Sequence, residues 1–228
     1  MIRFVFLDLD DTLFDFGASE HIALGETLRH FGVEPTPEVM ARYSVHNLAQ
    51  WKLLEQGKLT RDEVKTRRFR LLFDELGLPC DPRAMTAYYE QRLSLSAILL
   101  PGAEALLDEL YGKYKLYVVS NATVAVQNGR IASSGIAKYF ERIFLSEQVG
   151  SVKPQKEFFD RCFAEIPDFD PAQSILLGDS LTSDIQGGIN AGIRTCWFDL
   201  KQQGLRGDIR PDCIIRTLPA FAELLRTL

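Results

Sequence analysis

From Pro101 onward the chain alternates short apolar runs with helical stretches, and only a few architectures accept that rhythm. The runs are "KLYVVSN", "RIFLSE", "SILLGDS", "TCWFDL" and "DCIIR". Helical stretches are expected near 102–113, 122–134, 155–165, 184–191 and 218–227, and Asp170-Pro171 opens a short extra turn. This alternation reads as βαβ units on a parallel sheet. The N-terminal run "RFVFLDLD" belongs with these strands, although residues 15–95 intervene. That stretch shows no strand pattern, and its apolar residues recur at three- and four-residue intervals. Thr36-Pro37 and Asp81-Pro82 each supply an N-cap followed by proline, and Thr60-x-x-Glu63 is a capping box. Four helices follow: 18–31, 37–55, 61–76 and 82–95. The expected fold is an α/β doubly wound, Rossmann-like parallel sheet (residues 1–14 and 96–228) with an all-helical domain (15–95) inserted after the first strand.

Strands of such a sheet point the same way, and ligands bind outside their C-terminal ends. The polar residues expected at that edge are Asp8, Ser120 with Asn121, Asp179 and, from a loop, Lys153. If the extended geometry continues past Leu7, Asp8 and Asp10 leave the chain on the same side and Asp11 points elsewhere. Asp184 falls in the first turn of the helix after Asp179. Four carboxylates would then converge, and two unit charges 4 Å apart repel by about 4 kcal/mol at an effective dielectric near 20. A bound cation relieves this, and an oxygen-only donor set suits a hard ion such as Mg2+. Lys153 adds positive charge, and Ser120 with the amides after it can hold a phosphate oxygen.

The 228 residues are 46% hydrophobic and 25% charged, without low-complexity tracts, so a globular fold with a sizeable core is expected. The net charge is -5 and there is no long basic run, which argues against a nucleic-acid polymer as partner. Cys80, Cys162, Cys196 and Cys213 lack zinc or disulfide spacing and read as core residues. "MIRFVFL" is too short for a signal peptide, and no stretch reaches the ~18 apolar residues of a membrane span. A soluble cytoplasmic protein without membrane attachment is the expectation, its oligomeric state open.

"DLDDT", "VVSNAT", "SVKP" and "GDSLTSD" resemble, in order, the four motifs of the haloacid dehalogenase superfamily, whose members are mostly Mg2+-dependent phosphatases. Residues 15–95 resemble the small helical cap inserted after the first motif. "DLDDTLFDF" and "GDSLTSDIQGGINAGI" further resemble the branch of 5'-nucleotidases that includes pyrimidine nucleotidases. The resemblance implies that Asp8 is the nucleophile, taking the phosphoryl group as an aspartyl-phosphate, and Asp10 the general acid/base. It implies that Ser120, Asn121 and Lys153 bind the phosphate. Asp8, the Asp10 carbonyl and Asp179 would bind Mg2+, with Asp184 an outer or occasional ligand and Asp11 structural.

Phe14 and Phe16 lie where the chain leaves for the cap, and are the expected contacts to a substrate base. Tyr43, Trp51, Tyr88 and Tyr89 are further rings in the cap, which also needs a buried face. "GGINAG" (187–192) follows a helix start, so close helix packing is the expected reason for its glycines. The expected substrate is a pyrimidine or noncanonical nucleoside monophosphate; the alternatives are a sugar phosphate, phosphoglycolate or flavin mononucleotide. A dehalogenase is disfavoured because Asp10 is present. A phosphomutase shares the core chemistry. A phospho-acceptor signalling module would carry its acceptor on a later strand and no helical insertion.

Overall fold

The computed structural model describes residues 1–205 and 207–228. Its strands are β1 (Phe4–Leu7), β2 (Lys115–Ser120), β3 (Arg142–Leu145), β4 (Ser174–Gly178), β5 (Arg194–Phe198) and β6 (Cys213–Ile215). They form one six-stranded sheet in the order β3-β2-β1-β4-β5-β6, with every pairing parallel. The helices are α1 (Phe16–His30), α2 (Pro37–Glu55), α3 (Arg61–Leu76), α4 (Pro82–Ser94), α5 (Ala103–Leu110), α6 (Val124–Ser134), α7 (Ser146–Val149), α8 (Lys156–Ala164), α9 (Gln186–Ala191) and α10 (Leu218–Leu225). Among the described residues, no helix is long and apolar enough to cross a membrane.

Alternate residues of each central strand enter different cores, which is why the strands read as unbroken apolar runs. Val5, Leu7, Leu116, Val118, Ile175 and Leu177 pack with α5, α6 and α10 on one face. Phe4, Phe6, Tyr117, Val119 and Leu176 pack with Phe158, Phe159 and Cys162 of α8 on the other. A doubly wound sheet results, and the chain turns from one side of β1 to the other between β3 and β4. Ligand crevices form at such a switch point, outside the C-terminal ends of the strands. Here it is flanked by β1 and β4.

Helices α1 to α4 enclose a separate core that includes Leu24, Leu28, Tyr43, Phe69, Leu72, Phe73, Met85 and Tyr89, with Val126 of α6 packed onto it. The segments joining this block to the sheet run side by side. The Asp15 amide donates to the Ile98 carbonyl and the Leu100 amide to the Leu13 carbonyl, each at 2.8 Å.

Helices α2 and α3 begin and end at the expected residues, capped by Thr36 and Thr60. The first strand is shorter than expected. It ends at Leu7, and residues 9–14 turn, with the amides of Leu13 and Phe14 both reaching the Leu9 carbonyl. Asp11 takes φ 57° there, a left-handed conformation that aspartate tolerates better than most residues. The expected helix from 184 starts instead with a π-type turn over Leu181–Ile185 that runs into α9. The third strand stops at Leu145, where α7 begins. In "GGINAG", added Cβ atoms would meet the Phe159 ring at 2.7 Å from Gly187 and Thr195 Cγ2 at 2.5 Å from Gly188, so both glycines serve close packing.

Candidate active site

Asp8 follows β1 directly, and its amide still pairs with the Leu177 carbonyl at 3.0 Å, so the sheet fixes its backbone. Asp179 follows β4 directly, and its carbonyl accepts the Trp197 indole N–H at 2.7 Å. The ligand oxygens of Asp8, Asp179 and Asp184 lie within 4.8 Å of one another. Lys153 donates from Nζ to Asp8 Oδ1 and to Asp184 Oδ1, both at 2.6 Å, and to the Val119 carbonyl at 2.8 Å. The other Asp184 oxygen accepts the Ser180 amide at 3.0 Å. Asp184 is therefore engaged on both oxygens, whereas no hydrogen bond or ion pair to the Asp179 carboxylate is found among the described residues.

Burial raises the Asp8 carboxyl to about 7; Lys153 opposes the shift, and the charges of Asp184 and Asp10 add to it. Asp179 is raised well above the usual carboxylate range, by burial first and then by Asp184, Asp8 and Asp11. Burial works against the Lys153 ammonium, yet Asp184 and Asp8 together hold its pKa above the ordinary lysine value. One cation facing two buried carboxylates and the half-buried Asp179 leaves net negative charge in a largely desolvated site. Their oxygens form a donor set without nitrogen or sulfur, which fits a hard dication.

Asp10 lines the same cavity although the strand has ended, because the turn rather than strand alternation aims it there. Its carboxylate is held by two residues that the sequence reading had not singled out. Gln127 Nε2 donates to Asp10 Oδ2 at 2.9 Å, and Arg130 Nη1 donates to Asp10 Oδ1. Both sit on α6, which follows the "VVSNAT" strand, and their i, i+3 spacing on one helix face was the available signal. Asp11 lies apart, its carboxylate paired with Lys201 at 2.7 Å.

Ser120 ends β2, and its Oγ accepts from the Ala122 amide at 3.2 Å and Gln127 Nε2 at 3.3 Å. The Asn121 side chain brackets the Lys153 backbone: Oδ1 accepts its amide at 2.9 Å and Nδ2 donates to its carbonyl at 3.0 Å. Asn121 thus braces the Lys153 backbone through its side chain while lining the same cavity. On α3, Arg61 ties the helical block to this loop, donating to the Ala122 carbonyl at 3.3 Å and to Ser146 Oγ.

The cavity over these groups, about 200 Å³, is walled on the helical side by Phe16, Trp51, Glu55, Lys65, Arg68 and Tyr89. Arg68 is buried against the Tyr89 ring at 4.7 Å, with Nη1 on Asn47 Oδ1 at 3.1 Å and Nε on the Lys65 carbonyl at 3.3 Å. Phe16 lines the cavity as expected of a substrate contact, but Phe14 does not. Phe14 is 0% exposed in the sheet core, because the turn after Leu9 sends it inward and the 13–15 segment pairs with 98–100. Of the other rings, Trp51 and Tyr89 reach the cavity, Tyr43 is buried in the helical core, and Tyr88 stacks on His30 at 4.1 Å away from the site.

The family model for haloacid dehalogenase-like hydrolases matches residues 5–198. Pyrimidine 5'-nucleotidase PynA of Streptococcus pneumoniae is 39% identical over 198 residues, covering 86% of this chain and 84% of that protein. Pyrimidine 5'-nucleotidase YjjG of Escherichia coli is 29% identical over 221 residues, covering 97% and 96%. The orthorhombic crystal structure of the HAD-hydrolase YfnB from Bacillus subtilis, bound to magnesium, superposes with a TM-score of 0.94 at 36% identity, covering 98% of each chain.

Proposed function

The chain belongs to the haloacid dehalogenase-like hydrolases, and from that membership we propose that it is a Mg2+-dependent phosphatase of pyrimidine or noncanonical nucleoside 5'-monophosphates. The observation that carries the chemistry is the Asp8 carboxylate at the sheet switch point, 2.6 Å from the Lys153 ammonium and grouped with Asp179 and Asp184. The similarity to PynA and YjjG supports the nucleotide. The half-buried rings of Phe16 and Trp51 over the site supply surfaces on which a base can stack.

In this reading Asp8 attacks phosphorus, the bond to the ester oxygen breaks, and Asp10 gives its proton to the departing alkoxide. The product is phospho-Asp8. Asp10, now a carboxylate, takes a proton from the water that attacks this intermediate, and inorganic phosphate leaves with Asp8 restored. Lys153, Ser120 and the Asn121 main chain hold the phosphate oxygens. Asp8, the Asp10 carbonyl and Asp179 are the residues that would hold Mg2+, with Asp184 behind them. Bound there, the ion offsets the negative charge of carboxylates and phosphate. Residues 15–95 act as the cap over the nucleoside.

A panel of phosphate esters with Mg2+ tests the assignment: nucleoside monophosphates, sugar phosphates, phosphoglycolate and flavin mononucleotide, with and without chelator. Phosphate release is expected to need the metal and to show the highest kcat/KM on pyrimidine nucleotides. A panel led by sugar phosphates overturns the nucleotide assignment, and full turnover in excess chelator overturns the metal. Conversion of a sugar phosphate to its isomer without net phosphate release identifies a mutase.

A further inference from the structure

Arg130 is 0% exposed and carries a full charge into the interior, yet neither phosphoryl transfer nor phosphate binding gives it a task. Its guanidinium reaches three separate parts of the chain. Nη1 donates to Asp10 Oδ1, Nε donates to the Ser96 carbonyl at 3.0 Å, and the guanidinium carbon stands 4.3 Å over the Phe14 ring and 5.9 Å from that of Phe16. Phe14 and Phe16 lie where the chain leaves the sheet for the cap, and Ser96 lies where it returns. Arg130 therefore joins both connecting segments to the acid/base carboxylate. The neighbouring Gly129 brings α6 against the return segment, since a Cβ there would lie 2.7 Å from the Ser94 carbonyl oxygen.

We propose that Arg130 is a positioning residue that orients the Asp10 carboxylate for proton transfer and links that orientation to the cap connections. A carboxylate held by only one donor turns freely about its last torsion. Arg130 on Oδ1 and Gln127 on Oδ2 fix its plane, and Gln127 Oε1 also accepts from Arg130 Nη1 at 3.4 Å, so the two clamps form one unit. Because Ser96 and the Phe14 ring fix the guanidinium, a shift of the connecting segments carries Asp10 with it. Arg130 Nη2 has no acceptor among the described residues, which leaves a second donor for the carboxylate when it moves toward a leaving group.

The inference rests on Asp10 being the acid/base, and leaving-group chemistry separates the two claims. An alkyl leaving group such as a nucleoside needs a proton in the first step, whereas p-nitrophenolate does not. Arg130→Lys keeps a charge near Asp10 but cannot hold Asp10 and Ser96 together; Arg130→Met removes the clamp. For both variants, kcat/KM on a pyrimidine nucleoside monophosphate is expected to fall by about 10²-fold, within the usual contribution of a positioned acid/base, while kcat/KM on p-nitrophenyl phosphate changes by less than about threefold. A burst of p-nitrophenolate should precede slow turnover, because hydrolysis of phospho-Asp8 still needs Asp10. The aryl ester also reports that the variants are folded. Equal losses on both esters, or none on either, overturn the positioning role. Asp10→Asn is the control: if it too shows no leaving-group dependence, the acid/base assignment has failed, whereas dependence in Asp10→Asn alone refutes only Arg130.

Discussion

A Cβ atom placed on Gly178 would lie 2.4 Å from the Cβ of Asp184. Gly178 ends β4, and the π-type turn over Leu181–Ile185 brings Asp184 back against it, which is how the second carboxylate of "GDSLTSD" reaches Lys153. Gly178→Ala must push that turn outward. Overpacking of this kind costs about 1 to 3 kcal/mol, so thermal unfolding should occur at lower temperature. The apparent affinity for Mg2+ should weaken by ~10 to 100-fold, as expected when a residue supporting the metal ligands moves. Unchanged metal affinity in a destabilised Gly178→Ala protein would show that Asp184 has no part in holding the ion.

Asp179 gives a test of the metal that does not depend on turnover. Its carboxyl is raised by burial and by its like-charged neighbours, so without metal at pH 8 its ionisation works against the fold. Asp179→Asn removes that charge, and the metal-free variant should unfold at a higher temperature than the metal-free wild type. Mg2+ at a hundred times its dissociation constant should stabilise the wild type by about 2.7 kcal/mol and leave the variant nearly unchanged. Calorimetry with and without chelator measures both. Wild-type unfolding that ignores Mg2+ would contradict the site.

How much of this site was legible in advance depends on the distance over which each residue is determined. Asp8, Ser120 and Asp179 were readable because each follows an apolar run, and parallel strands deliver their ends to one edge. The caps at Thr36 and Thr60 were readable because a cap is a contact within four residues. Phe14 was expected at the substrate because it lies where the chain leaves for the cap, but it turns into the sheet core. The reversal at Leu9 and Asp11 depends on backbone hydrogen bonds that apolar periodicity does not encode. Arg130 meets Asp10 across 120 positions, and the lone hint was its spacing from Gln127. Asn121 was expected beside Ser120 at the phosphate, but adjacency did not reveal that its side-chain amide also braces the Lys153 backbone, a partner 32 residues away.

Glu20 gives the cap a pH dependence. Its Oε1 accepts from Asn47 Nδ2 at 2.8 Å and from the Tyr89 hydroxyl at 3.4 Å, and burial raises its carboxyl from 4.5 to about 7 despite the nearby Arg68 charge. A raised carboxyl means that the folded chain keeps a proton which the unfolded chain has already released. Stability from this group therefore falls as pH rises from about 4.5 to about 7 and is level above that window. Glu20→Gln keeps the acceptor oxygen and removes the titration. Relative to wild type it should be stabilised at pH 8 by on the order of 2 kcal/mol, with the difference vanishing near pH 4. Urea unfolding of both proteins at the two pH values checks the sign; a variant less stable than wild type at pH 8 would mean that the Arg68 charge dominates.

Phe14 and Phe16 are two residues apart, and the turn between sheet and cap separates their consequences. Phe14 is enclosed by the sheet core under the Arg130 guanidinium, so Phe14→Ala should cost about 3 to 5 kcal/mol of stability, the range for an aromatic ring removed from a core. Phe16 is half-buried at the cavity wall, and its ring is available to a nucleoside. Loss of a base stack worth ~1 to 3 kcal/mol predicts a KM for a pyrimidine nucleoside monophosphate raised by roughly tenfold or more in Phe16→Ala. KM for p-nitrophenyl phosphate should move much less, because that ester reaches less of the cap wall. The same comparison made in Phe14→Ala should show no such selectivity between the two esters. A Phe16→Ala protein with equal KM changes on both would remove the ring from base recognition, leaving Trp51 as the remaining accessible ring of the wall.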